Sequence, residues 1–280
     1  MPDFDVGRKW AVLLATRPVE AWDRMRKTRV LARSMRSLRE DACGWSQGLH
    51  VISAQTGWLQ LIHTRLGWDW PCLEARGFQT CWIDIERTLA STDPGEPDYD
   101  ADPVLARALW CAVRHLRPRA VVETGVARGV TSRVILEALD SNGGGRLWSI
   151  DLPPLKEPWF SQSRSAVPQR LRDDWQYICG SARRVLPRLL QRLEKIDLFV
   201  HDSLHTYDHM TFELTLARAH LSSAGLIVSD DINTNRAFAE MVRSDHMLDG
   251  VAVTQERKQD AAVGITWQRG SRAIEGHLRP

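Results

Sequence analysis

The chain has 280 residues, 43% hydrophobic and 26% charged, which fits a globular protein with a sizeable core and excludes a stapled miniprotein or a wholly disordered chain. Lysine and arginine number 37 against 35 acids, so no global field favours nucleic acid as a partner. Cys43, Cys72, Cys81, Cys111 and Cys179 form no C-x-x-C pair, which suits a reducing compartment, and the apolar run Trp10 to Ala15 is too short for a signal core or a membrane span. The expected location is cytoplasmic, with no membrane partner.

In chain order, Arg17 to Arg39 carries eight basic residues and two acids and reads as an amphipathic helix, either an anion or membrane surface or a solvated face covering the rest of the molecule. Seven of the twelve tryptophans lie within the first 82 residues, and residues 45 to 82 read as a cap or a subunit contact. Turn formers and acids over residues 91 to 102 mark a linker. This divides the chain into a Trp-rich cap or oligomerisation segment, 1–100, and a second domain, 101–280.

After the linker, short apolar runs alternate with helical periods, the signature of a parallel sheet wrapped by helices. Helices are expected at Asp102 to Arg117, Thr131 to Leu139, Ala182 to Leu193, His209 to Leu221 and Arg236 to Val242. Strands are expected at Ala120 to Glu123, Arg146 to Asp151, Trp175 to Cys179, Ile196 to Asp202 and Gly225 to Asp230. Val251 to Gln255 and Ala262 to Trp267 read as a closing antiparallel pair.

The first of these strands runs through Glu123-Thr124-Gly125-Val126-Ala127-Arg128-Gly129-Val130-Thr131-Ser132 into a helix. Ala127 and Val130 stand where a dinucleotide fingerprint requires glycine, which disfavours NAD. The acid followed by E-x-G-x-x-x-G spacing suits a ligand with an ammonium group and no phosphate, while Thr131 or Ser132 can bond a carboxylate. That is the methionine half of S-adenosyl-L-methionine (SAM). Asp151, at the next strand end, is placed to accept both ribose hydroxyls, and Gly180 and Ser181 form a small-residue turn against which an adenine can lie.

These residues, with one motif at Glu123 to Gly129 and a second acid at Asp151, resemble the class I SAM-dependent methyltransferase family over roughly residues 103 to 268. The resemblance implies an α/β, Rossmann-like fold: a seven-stranded, mostly parallel sheet with its last strand antiparallel and helices on both faces. A mainly helical N-terminal segment precedes it.

Asp202, Asp230 and Asp231 end the next two strands. Three carboxylates in one crevice repel unless protonated or neutralised, so they can form a half-shell for Mg2+ or Mn2+; the alternative is that Asp231 caps a helix and Asp202 bonds backbone. His205 and His209 have an i, i+4 spacing, but no third nitrogen or sulfur ligand at a matching interval supports zinc. His205 is better placed as a general base, with His209 and Glu213 behind it and His201 and His220 structural. The series D-S-x-H-T-Y-x-H-x-x-x-E-L, followed by an acidic pair, resembles metal-dependent natural-product O-methyltransferases of the macrolide-sugar type and the cephalosporin-hydroxylase-like group. That resemblance implies metal binding by Asp202, Asp230 and Asp231 and catalysis by His205 with Asp202, although many relatives carry Glu where Asp230 stands. The expected activity is methyl transfer from SAM to a hydroxyl of a small-molecule acceptor, such as a sugar or natural product. A non-catalytic SAM-binding scaffold subunit is the rival reading, and a hydroxylase lacks the redox centre it would need.

Overall fold

The computed structural model describes residues 4–25, 43–91, 100–152, 155, 159–258 and 261–270. Most of the basic stretch Arg17 to Arg39, and most of the linker 91–102, lie outside the described residues.

The seven expected strands are all present, and an eighth joins them. They are β2 (Ala120–Thr124), β3 (Arg146–Asp151), β4 (Trp175–Cys179), β5 (Ile196–His201), β6 (Leu221–Ser229), β7 (Leu248–Thr254) and β8 (Ala262–Gln268), with β1 (His50–Ile52) contributed by the N-terminal segment. The order across the sheet is β1-β7-β8-β6-β5-β2-β3-β4. Only β8 runs antiparallel, to β6 on one side and β7 on the other. The sheet therefore has eight strands rather than seven. β1 is three residues long and pairs in parallel with Val251–Val253; so short a strand carries no alternation that a sequence reading could find.

β6 also starts at Leu221, ahead of the expected Gly225. Ile196 pairs with Leu221, the register then shifts before Leu198 meets Leu226, and the polar Ser222 and Ser223 in that bulge hide the strand's first residues.

Period-two alternation divides the sheet residues between two cores. Val121, Leu198, Val200, Leu226 and Val228 face a layer with Leu105, Leu109, Val134 and Leu139, while Val122, Phe199 and Ile227 face Leu186, Met210, Leu214 and Phe238. The first layer holds the helices Pro103–Leu116 and Val130–Ser141 together with Trp58–Leu66 and Ala75–Ala90, so Trp58, Ile62, Phe78, Trp82 and Ile85 belong to the same core. Helices Ala182–Leu193, Tyr207–His220 and Ala237–Ser244 cover the other face. Asp102 caps the helix Pro103–Leu116 by accepting from Val104 N at 2.9 Å, with proline at the first helical position. Among the described residues no helix is long and apolar enough to cross a membrane.

Candidate active site

The parallel strands bring Glu123, Asp151, Cys179, His201 and Ser229 to one edge of the sheet, and the other candidate residues lie on the turns and helix starts that follow. β2 leads into Gly125, at φ +86°, and a Cβ there would lie 1.8 Å from the Asp202 carbonyl oxygen. Gly129, also left-handed at φ +88°, would place its Cβ 2.9 Å from Val167 Cγ2. Both glycines let neighbouring backbone segments close over the turn.

Glu123 is fully buried. Its Oε2 accepts from Ser132 Oγ and Ser149 Oγ, each at 2.6 Å, while Oε1 has no hydrogen-bond partner. Burial raises its carboxyl above the usual range despite those hydroxyls. Ser132 thus meets the carboxylate rather than open space, and Thr131 is buried beside it at the helix start. Asp151 accepts from Leu152 N at 2.8 Å, and the next turn is tied to it by Gly180 N donating to Asp151 O at 2.9 Å.

The N-terminal segment reaches this same edge. Asp23 Oδ2 accepts from Ser181 N at 3.2 Å and from Arg184 Nε at 2.7 Å. Asp23 is buried, as are Glu20 and Arg24, which pair at 2.6 Å. No period in the sequence links positions more than 150 residues apart, so this contact was not legible there.

On the other side of Gly125, Asp202 N donates to Thr124 O and Asp230 N donates to His201 O, both at 2.8 Å, which holds the two acid-bearing turns side by side. One ligand atom each from Asp202, His205 and Asp230 lies within 4.8 Å of the others. Asp231, held left-handed at φ +47°, instead approaches the other side of the imidazole, with Oδ2 3.4 Å from His205 Nδ1. His205 Nε2 is 3.8 Å from Asp202 Oδ1 and has no hydrogen-bond partner.

The electrostatics are those of an undercompensated anionic cluster. Burial and then the neighbouring Asp230 raise Asp202 well above the usual carboxylate range. Burial, then Asp231, push Asp230 up to about 7. Burial, then His201, push His205 down to about 4, so its imidazole is neutral at pH 7. Two carboxylates and an imidazole nitrogen form a donor set suited to a divalent cation.

Two residues not anticipated from sequence complete the cluster. Gln255 Nε2 donates to Asp230 Oδ1 at 2.6 Å, and Lys258 Nζ lies 3.6 Å from Asp230 Oδ2. Asp102 brings them there by accepting from Glu256 N at 3.1 Å and Arg257 N at 2.7 Å.

Beneath the cluster Glu213 is fully buried. Its Oε2 accepts from Thr124 Oγ1 and His201 Nδ1, both at 2.6 Å; its Oε1 accepts from His209 Nε2 at 2.8 Å and Ser203 Oγ at 3.0 Å. Burial alone would raise its pKa, but His201, by charge and hydrogen bond, and then His209 hold it well below the usual range. The His201 and His205 rings meet edge-on at 5.3 Å, so this network supports the site from below. His209 and Glu213 stand behind His205, as their positions on the helix predict.

Residues 122–232 match the family described as "Methyltransferase domain". That match spans 111 of the 280 residues, and it covers the strand-end turns that carry Glu123 and Asp202 as well as Asp151. Among solved structures, the chain is similar to the SAH-bound methyltransferase PaMTH1 of Podospora anserina at 16% identity, covering 68% of this chain and 87% of that one, with a TM-score of 0.52. It is also similar to the O-methyltransferase TomG of Streptomyces achromogenes, in complex with SAM, at 16% identity over 69% and 90%, TM-score 0.53. An O-methyltransferase from Bacillus cereus in complex with SAH gives 15%, 75% and 96%, TM-score 0.50. At these identities the likeness establishes the fold. No curated protein sequence matches the chain.

Proposed function

We propose that this protein is a SAM-dependent O-methyltransferase acting on a hydroxyl of a small-molecule acceptor, with His205 as general base. The observation that carries this reading is His205 Nε2, a neutral and unpartnered ring nitrogen beside the turns that also bear the cofactor-type residues. SAM supplies an electrophilic sulfonium methyl group when bound. Glu123 and Thr131 shape the pocket for its methionine half, Asp151 accepts its ribose hydroxyls, and Gly180 and Ser181 flank its adenine under the Asp23 contact. The SAM- and SAH-bound neighbours support that choice of cofactor.

In the transfer, His205 Nε2 takes the hydroxyl proton while the acceptor oxygen forms a bond to the methyl carbon. The carbon–sulfur bond breaks with its electron pair left on sulfur. Holding oxygen, carbon and sulfur in line supplies roughly 7–11 kcal/mol, and a positioned base about 10²–10⁴ in rate. Asp231, beside Nδ1, favours the tautomer that leaves Nε2 free to accept.

Asp202 and Asp230, with Asp231 behind His205, would hold Mg2+ or Mn2+. Such an ion, when bound, makes a coordinated acceptor hydroxyl more acidic. The clustering of His205 with Asp202 and Asp230 also favours a second reading, in which His205 is a ligand. The two readings separate in His205→Ala: a base predicts retained metal and SAM affinity with turnover reduced by about 10²–10⁴, whereas a ligand predicts weakened metal affinity. Undiminished turnover would remove His205 from the chemistry. Tight SAM binding without turnover on any hydroxylated acceptor would instead favour the scaffold role.

A further inference from the structure

A second group of metal-ligating side chains lies outside the strand-end site, where the N-terminal segment packs on the helix Pro103–Leu116. His63, Cys72 and His115 each offer one ligand atom, all within 4.8 Å of one another. Cys72 Sγ is 3.2 Å from His115 Nε2. His63 comes from the helix Trp58–Leu66 and Cys72 from the segment that follows it, so three separate stretches of chain converge on one point.

The hydrogen bonding of His63 is the independent pointer. The residue is completely buried. Its Nδ1 lies 2.7 Å from Leu59 O, so the ring proton sits on Nδ1 and is donated to that carbonyl, leaving Nε2 as a bare lone pair. Nε2 has no hydrogen-bond partner. A ring nitrogen fixed to a backbone carbonyl while the other waits, buried, for an electrophile is the arrangement that metal-bound histidines adopt. Left unmet, such a buried acceptor costs about 1–3 kcal/mol. Rings pack around it: Trp68 stacks on His115 at 4.8 Å between centroids, and Trp70 meets His63 edge-on at 5.3 Å.

We propose that His63, Cys72 and His115 form a zinc site that fastens the N-terminal segment to the methyltransferase domain. One thiolate and two imidazoles are donors that zinc favours, and a water completes the tetrahedron. Zinc–ligand bonds of about 2.0–2.3 Å place neighbouring ligand atoms roughly 3.3–3.8 Å apart, so the cluster needs only a slight contraction to close. Cys72 binds as the thiolate. The site is independent of the proposed reaction: its ligands touch none of Asp202, His205, Asp230 or Asp231.

The test uses the full-length protein prepared in zinc-containing medium. Elemental analysis after dialysis is expected to give about one zinc per chain, retained in Asp202→Asn/Asp230→Asn and lost in Cys72→Ser and in His63→Ala. Because those two variants could misfold, wild-type protein is also stripped and reloaded with Co2+. Thiolate-to-cobalt charge-transfer absorption in the near ultraviolet, which carboxylate ligands cannot produce, is the expected signature. Zinc that disappears from the Asp202→Asn/Asp230→Asn variant, or cobalt-loaded wild type without a thiolate band, would overturn the assignment. So would protein that neither carries zinc nor takes it up.

Discussion

Replacing Glu213 by alanine removes a carboxylate that accepts four hydrogen bonds, from Thr124, His201, Ser203 and His209, at 2.6 to 3.0 Å inside the core. Each donor left without an acceptor costs about 1–3 kcal/mol, and breaking a buried charged pair about 3–5 kcal/mol. Water entering the vacated space satisfies some of these donors, so the lower range, about 3–5 kcal/mol, is the expectation. For a domain this large, that is a Tm decrease of about 6–20 °C, measurable by calorimetry or circular dichroism. The pH dependence follows from the sign of the Glu213 shift. Its folded pKa lies well below the usual range, so its stabilisation is fully present above the unfolded value of about 4.3 and fades as pH falls towards the folded one. Wild type should therefore lose stability on acidification below that point more steeply than Glu213→Ala. A variant with wild-type Tm and an unchanged acid limb would refute the role assigned to the Glu213 network.

Three further outcomes follow from the site. His205→Ala should retain SAM affinity and lose turnover by about 10²–10⁴, read from kcat beside a binding titration. Asp230→Asn should raise the metal concentration needed for half-maximal rate, and wild type assayed in excess chelator should lose activity; an enzyme indifferent to chelator would remove the metal from the reaction. Gly125→Ala should give little folded protein, because its Cβ would meet the Asp202 carbonyl at 1.8 Å on left-handed backbone, and a normally folded, active variant would show that the two turns are not locked together.

The sheet was legible because its strands are short apolar runs, buried on both faces, that end in turn chemistry. Val121 and Val122, or Leu198 and Phe199, point to opposite cores, and the acids at the ends of β2, β3, β5 and β6 fall together once the strands are parallel. What escaped was non-local. Lys258 and Gln255 reach Asp230 from a connection with no periodic signal, held by the backbone contacts of Asp102. Asp23 meets Ser181 across the molecule, and β1 is too short to show an alternation. Cys72 also shows no spacing relation to His115; only the packing of the N-terminal segment on the helix Pro103–Leu116 brings them together with His63.

The central claim is that the strand-end acids form a SAM site, and calorimetric titration of SAM and S-adenosylhomocysteine tests it most directly. The titration is made on wild type and Asp151→Ala, with Mg2+ present and with chelator. Losing the ribose contacts to a carboxylate, each worth about 1.5–3 kcal/mol, should weaken binding at least tenfold in the variant while wild type binds both ligands. Wild-type protein that binds neither ligand in either condition would contradict the account.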